Sequence, residues 1–253
     1  MAHLNPTGRF SSRADDYSRY RPSYPPEIVP LLESECGLKS SSIVADAGSG
    51  TGLLSKLFLD FGCHVIGIEP NREMRQAGGD FLRSYQEFTG VDARAEQTGL
   101  ADASVDLVAA GQAFHWFDAA AARKEFHRIL RPPKWVALIW NEREVTGGFL
   151  SGYEQLLDRY APDYRRVDHR QIGSAKISEF FGHSNWKLAT FANVQEFDLA
   201  GVLGRLRSSS YSPHPGDAAY EPMMAELTAL FETHHQNGGV AFLYRTNMYY
   251  GTL

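Results

Sequence analysis

The sequence predicts an α/β fold built on a doubly wound, mostly parallel sheet, and three observations carry that reading. An apolar stretch, Ile43 to Ala47, runs into a glycine-rich turn and then into residues with helical apolar spacing. Further short apolar segments recur with helical stretches between them, the alternation that wraps helices on both faces of a parallel sheet. A length of 253 residues, with 43% hydrophobic and 22% charged residues, suits one large soluble domain or one domain carrying an insertion.

Taken in order, the first element is the strand at Ile43 to Ala47, followed by the loop of "VADAGSGTGLLSKL". Gly48, Gly50 and Gly52 can take positive φ without a Cβ penalty, so the chain can turn sharply and bring its backbone against a ligand. Leu53, Leu54, Leu57 and Phe58 then repeat at helical spacing, and a strand, a glycine loop and a helix N-terminus form an anion-friendly site. His64 to Ile68, Glu87 to Val91, Val105 to Ala110 and Trp135 to Trp140 read as further strands. Asn71 to Tyr85 reads as a helix weakened at Gly78 and Gly79, and Ala119 to Leu130 as a helix ending before Pro132.

The pattern changes after Asn141. "YEQLLDRY" and "MMAELTALFETHH" read as helices, and "WKLATFANVQEF" as extended. "VAFLYRTNMYYGTL", rich in β-branched and aromatic residues, reads as a closing strand. Ser208 to Gly216 reads as a loop. The C-terminal half is thus expected to complete the sheet and to add a helical cover.

Composition removes several function classes. The formal net charge is -5, from 25 Lys and Arg against 30 Asp and Glu, so no general attraction to nucleic acid is expected. No apolar stretch approaches the length of a membrane span, and the N-terminal residues lack the apolar core of a secretory signal. Cys36 and Cys63 have no Cys-x-x-Cys spacing, which predicts neither a disulfide framework nor a zinc site and fits a reducing cytoplasm. No metal is expected: the adjacent His234 and His235 point in different directions on a helix.

A dinucleotide fingerprint needs G-x-G-x-x-G, and here the sixth position is Leu53. Glu69, at the end of the second strand in "VIGIEPN", can accept hydrogen bonds from both hydroxyls of a ribose. A ribose without a pyrophosphate is the expected ligand.

The segments "DAGSGTG" (46–52), "GIEPNREM" (67–74), "RAEQTGLADASVDLV" (94–108) and "GQAFHWFD" (111–118) resemble those of class I S-adenosylmethionine-dependent methyltransferases. "YSRYRPSYP" and "ALIWN" extend the similarity through the first half of the chain, which is closest to the small-molecule branch that includes trans-aconitate methyltransferase-like proteins. The resemblance implies a Rossmann-like sheet of seven strands and S-adenosylmethionine as cofactor. It assigns to the cofactor Asp46, Gly48, Ser49, Gly50, Gly52, Glu69, Pro70, Ala95, Glu96 and Gln112. Asp46 would receive the ammonium, or else cap the turn; Ala95 and Glu96 would border the adenine, and Gln112 the methionine end. Tyr20 and Arg21 would close over the methionine carboxylate, or else belong to a packed arm with Tyr17 and Tyr24.

Methyl transfer demands positioning more than acid or base chemistry, which accounts for the lack of an obvious triad. His115 is the candidate base or positioning group and Trp116 a candidate substrate wall, since both follow the fourth strand at the edge where open α/β sheets place ligands. A packed histidine is the competing reading. Residues 1–30 are expected to form an N-terminal lid or arm, 31–142 the cofactor-binding core, and 143–253 the substrate-side cover with closing strands. The expected activity is methyl transfer to a small molecule, at an oxygen such as a carboxylate, with a catalytically silent cofactor-binding regulator as the alternative. Arg143, Arg205, Arg207 and Arg245 are candidate carboxylate partners or ordinary surface charges. Oligomeric state has no signature.

Overall fold

The computed structural model describes residues 20–162, 164, 174–182, 185–209 and 211–253. Tyr17 and most of the expected N-terminal lid lie outside the described residues, as does Ser210 of the expected loop. Seven strands form one sheet: β1 (Ile43–Ala47), β2 (His64–Ile68), β3 (Phe88–Val91), β4 (Val105–Gly111), β5 (Leu130–Arg143), β6 (Lys187–Phe197) and β7 (Val240–Thr252). Their order is β3-β2-β1-β4-β5-β7-β6. The first five are mutually parallel, and β7 lies antiparallel between β5 and β6.

The helices are α1 (Ile28–Cys36), α2 (Leu53–Phe61), α3 (Arg72–Phe81), α4 (Ala119–Ile129), α5 (Gly148–Tyr160), α6 (Ser174–Phe181), α7 (Leu199–Arg207) and α8 (Tyr220–His234). Strand alternation divides the core into two layers. Val44, Leu107 and Ala109 face Ile28 and Leu32 of α1 and Leu54 and Phe58 of α2. Ala45, Val108 and Ala110 face Phe126 and Ile129 of α4 and Ile177, Phe180 and Phe181 of α6. A third core joins α5, α7 and α8 to Phe242 and Tyr244 of β7, and this is the helical cover.

Two expectations change in detail. α3 does not break at its glycines; Gly78 is buried within the helix, and a Cβ there would fall 3.0 Å from the Gly50 carbonyl oxygen. The glycine is a point of close approach to the loop, not a weak spot. β5 runs well past Trp140, because Trp135 to Arg143 pair residue by residue with Thr252 to Tyr244 of β7, a long-range partner that leaves no local signal.

The topology fixes the place of the site. β1 pairs with β2 on one side and β4 on the other, so the connections leaving β1 and β4 diverge and open a crevice at the C-terminal edge.

Candidate active site

The glycine loop connects β1 to α2 and is held in shape by β2. Gly48 and Ser49 both donate their amides to the Ile68 carbonyl, at 2.8 and 3.1 Å. Gly48, Gly50 and Gly52 all have positive φ, at 69°, 55° and 84°. At Gly48 and Gly52 space is also short: a Cβ would lie 2.6 Å from Ala113 Cβ and 2.6 Å from Leu82 Cδ1, respectively. At Gly50 the nearest atom to a Cβ would be Met74 Cε at 3.4 Å, which leaves this part of the loop open toward the crevice.

Glu69 ties the loop to the next helix. Its Oε2 accepts from the Gly50 amide at 2.9 Å and its Oε1 from the Asn71 amide at 2.8 Å. Asn71 in turn caps α3, accepting from the Met74 amide at 2.9 Å. Arg75 donates to the Glu69 carbonyl and to Asp92. Burial raises the Glu69 carboxyl above the usual carboxylate range, against the lowering effect of those two amides. Each oxygen keeps capacity for a further donor, as a ribose site requires. Pro70 follows between Glu69 and the Asn71 cap.

Asp46 is fully buried at the end of β1. Its Oδ2 accepts from the Ser55 hydroxyl at 2.6 Å, while its Oδ1 has no hydrogen-bond partner. Burial pushes its pKa from 3.8 up to about 7, moderated by Ser55 and reinforced by the Glu69 charge. Gln112, at the end of β4, donates through Nε2 to the Asn141 carbonyl at 2.9 Å, and its buried Oε1 also lacks a partner. Two orphaned acceptors at the ends of β1 and β4 suit an ammonium group, so the residues present fit S-adenosylmethionine.

The turn after β4 rests on the glycine loop, as the crowding of Gly48 by Ala113 and Phe117 shows. A 3-10 turn spans Phe114 to Trp116. Phe114 is core, edge-on to Trp140 and Phe180, whereas His115 and Trp116 are half-buried with ring centroids 4.7 Å apart. Ala95 is buried among the core residues of the opposite layer. Glu96 accepts from the Asp118 amide at 2.8 Å, fastening the β3–β4 connection to the cap of α4.

Residues 20–24 cross the same edge. The Ser23 carbonyl accepts from Asn141 Nδ2 at 3.1 Å and Asn193 Nδ2 at 2.7 Å. A Cβ on Gly111 would collide with the Tyr24 hydroxyl and lie 3.1 Å from Leu54, so Tyr24 spans from β4 to the start of α2. Tyr20 packs on Gly204 and stands 6.4 Å from Phe197, and Arg21 donates to the Ser208 carbonyl at 3.1 Å. The contacts of these two are with the cover.

The methyltransferase domain family matches residues 45–138, which run from β1 into β5. An uncharacterized methyltransferase-like protein of Schizosaccharomyces pombe is 34% identical over 184 residues, covering 71% of this chain and 68% of that one. The chain is a class I S-adenosylmethionine-dependent methyltransferase. A second uncharacterized methyltransferase of S. pombe is 29% identical over 228 residues, 88% of this chain and 87% of its own length. A putative type II methyltransferase from Anaeromyxobacter dehalogenans shares the fold at a TM-score of 0.69 and 21% identity, over 92% of this chain and 98% of that one. The methyltransferase therefore uses S-adenosylmethionine, and among its described residues no helix is long and apolar enough to cross a membrane.

Beyond the donor half, the methyltransferase buries a polar chamber between β5, β7 and the cover that motif reading did not assemble. Arg143, at the end of β5, donates to Glu154 at 2.5 Å and to the Tyr164 hydroxyl at 3.0 Å, and lies 4.7 Å over the Tyr153 ring. Its Nε and the Tyr153 hydroxyl are buried without a partner. Arg205, 4% exposed, donates to Ser209 Oγ at 3.1 Å and to the Tyr244 hydroxyl at 3.4 Å. Burial pushes the Tyr211 phenol up, but Arg205, Arg143 and Arg21 outweigh it and hold it below the usual tyrosine range. Arg207 is exposed, and Arg245 is an exposed partner of Glu144. Of the four arginines singled out from sequence, two are buried in the chamber and two are surface charges.

Proposed function

We propose that the enzyme transfers a methyl group to an oxygen of a small-molecule acceptor, such as a carboxylate, bound beneath the helical cover. The observation that carries this reading is the placement of two buried guanidinium groups, Arg143 and Arg205, between the C-terminal end of β5 and the cover. Such charges are strongly disfavoured in a protein interior unless they meet anions.

On the donor side, Asp46 and Gln112 would hold the ammonium, Glu69 the ribose, and the loop at Gly50 would face the cofactor where no side chain intrudes. Bound there, S-adenosylmethionine supplies a methyl group on a positively charged sulfur, a good leaving group. The protein's part is to hold the acceptor oxygen in line and to keep water out, and proximity of this kind can supply much of the acceleration. An ionised carboxylate needs no base. His115, on the turn that rests over Gly48, then orients the acceptor, with Trp116 as a wall. A cytoplasmic setting fits the two free thiols, Cys36 and Cys63.

The test is a screen of small carboxylic acids, phenols and amines with methyl-labelled S-adenosylmethionine. Methyl esters release volatile methanol in mild base, whereas ethers and methylamines do not. Base-labile label on carboxylic acids is the expected result; label found only in amines would refute the reading.

A further inference from the structure

The two chamber arginines are not equivalent. Arg143 is matched by Glu154, whose carboxylate it meets at 2.5 Å and which Tyr164 also supports, at 2.8 and 2.9 Å. Arg205 has only neutral partners among the described residues: the hydroxyls of Ser209 and Tyr244. Its surroundings are fixed by the fold. Ser208 and Ser209 bond back to the Arg205 carbonyl, and Tyr244 donates to Gln195 at 3.2 Å. Ser209, Arg205 and Tyr244 are 0%, 4% and 3% exposed, and the unpartnered Tyr153 hydroxyl is 0% exposed. A buried cation without a carboxylate, set among hydroxyl groups, is a built receptor for one negative charge.

Reactivity decides which part of the acceptor belongs there. An oxygen gripped by a guanidinium has its lone pairs engaged and is a poorer nucleophile. A strong cation therefore suits a group that anchors the acceptor and does not itself react. A single unmatched guanidinium also balances a carboxylate's one charge better than a phosphate's two.

We propose that Arg205, with Ser209, Tyr211 and Tyr244, forms an anchoring site for a carboxylate of the acceptor distinct from the oxygen that receives the methyl group. The acceptor class is then a small molecule with at least one carboxylate besides its methyl-accepting group, and the product retains that carboxylate. This rests on the proposed methyl transfer to a small acceptor, and it assigns to Arg205 the choice of substrate.

The experiment uses the full chain saturated with S-adenosylhomocysteine. Succinate and glutarate are titrated beside their monoamides, their diamides and inorganic phosphate, and the same compounds are tested for labelled methyl transfer. Wild type should bind the acids at least tenfold more tightly than the diamides, and more tightly than phosphate. Arg205→Met, of similar length without the charge, should lose that preference while keeping its affinity for S-adenosylhomocysteine, and Arg205→Lys should restore part of it. Tyr211→Phe, at a half-buried position, gives a second reading if Arg205→Met does not fold; it should weaken acid binding and leave diamide binding alone. Equal binding of acid and diamide by wild type, an acid preference that survives Arg205→Met or Tyr211→Phe, or tighter binding of phosphate would each overturn the proposal. Failure of the wider reading looks different: Arg205-dependent acid binding would persist with no methyl transferred to any acid.

Discussion

Replacing Glu69 with Gln tests how one carboxylate serves both the loop and the cofactor. In the native protein its two oxygens accept from two backbone amides, at 2.9 Å from Gly50 and 2.8 Å from Asn71. A glutamine can satisfy only one of these, because its NH2 would face the other donor. Hydrogen bonds to charged groups contribute about 1.5 to 3 kcal/mol each. For a chain of this size that predicts a melting temperature lower by roughly 3 to 12 °C. The ribose loses a charged acceptor as well, so affinity for S-adenosylhomocysteine should fall by roughly ten- to a hundredfold. Calorimetric titration with S-adenosylhomocysteine and its 2′-deoxy analogue separates the two effects. Deleting the hydroxyl should weaken binding to wild type markedly and to Glu69→Gln very little. A folded Glu69→Gln protein with unchanged affinity, or an equal penalty for the missing hydroxyl in both proteins, would refute the ribose assignment.

Three further outcomes are expected. Because Asp46 is raised from 3.8 to about 7, its contribution to stability is complete below pH 3.8 and is lost as pH rises toward 7. Below pH 7 an ammonium bound at Asp46 would displace its proton, so S-adenosylhomocysteine affinity should climb by up to about tenfold per pH unit and then level off. Asp46→Asn should flatten both profiles, and a wild-type affinity independent of pH from 5 to 8 would count against that contact. Gly78→Ala gains helix propensity of about 1 kcal/mol, yet its Cβ would press on the Gly50 carbonyl at 3.0 Å. It should weaken cofactor binding, while Gly79→Ala, with nothing within 4 Å, should bind normally; equal affinities in titrations of the two variants would show that the loop yields freely. His115→Ala should slow transfer with little change in S-adenosylhomocysteine affinity. A general base would cost roughly a hundred- to ten-thousandfold in kcat, whereas a positioning group would raise the acceptor's KM, and wild-type kinetics at low and saturating acceptor would return His115 to a packing role.

The donor half was legible because its requirements are local. β1 and β2 match their expected bounds, since strands buried on both faces read as continuous apolar runs. The glycine loop announced itself by backbone need, and Glu69 by its place at a strand end. Gly78 was misread because its role is contact with Gly50, thirty positions earlier in a different element, and helix propensity carries no trace of it. The acceptor chamber was out of reach for the same reason. Arg143, Glu154, Tyr164, Arg205, Tyr211 and Tyr244 come from separate segments, and each alone looks like an ordinary polar residue. Only the packing of the cover on β5 and β7 brings them together. No local pattern marks Arg205 as buried, because its helix carries another arginine, Arg207, on its exposed face.

The insertion of β7 between β5 and β6 has a consequence for how the chain reaches this state. β6 leaves the ribosome more than forty residues before β7, yet among the described residues β7 is the only strand with which it pairs. During synthesis the parallel five-stranded part can assemble first, leaving the edge of β5 open and β6 with no sheet to join. An open edge beside an unpaired strand is a template for other chains, and long-range pairing of this kind forms late. Arrival of residues 240–252 closes both at once. The same strand carries Tyr244, so the last step of sheet assembly would also be the one that completes the acceptor chamber, and a nascent chain stalled before it could fold a cofactor pocket with nowhere to deliver the methyl group.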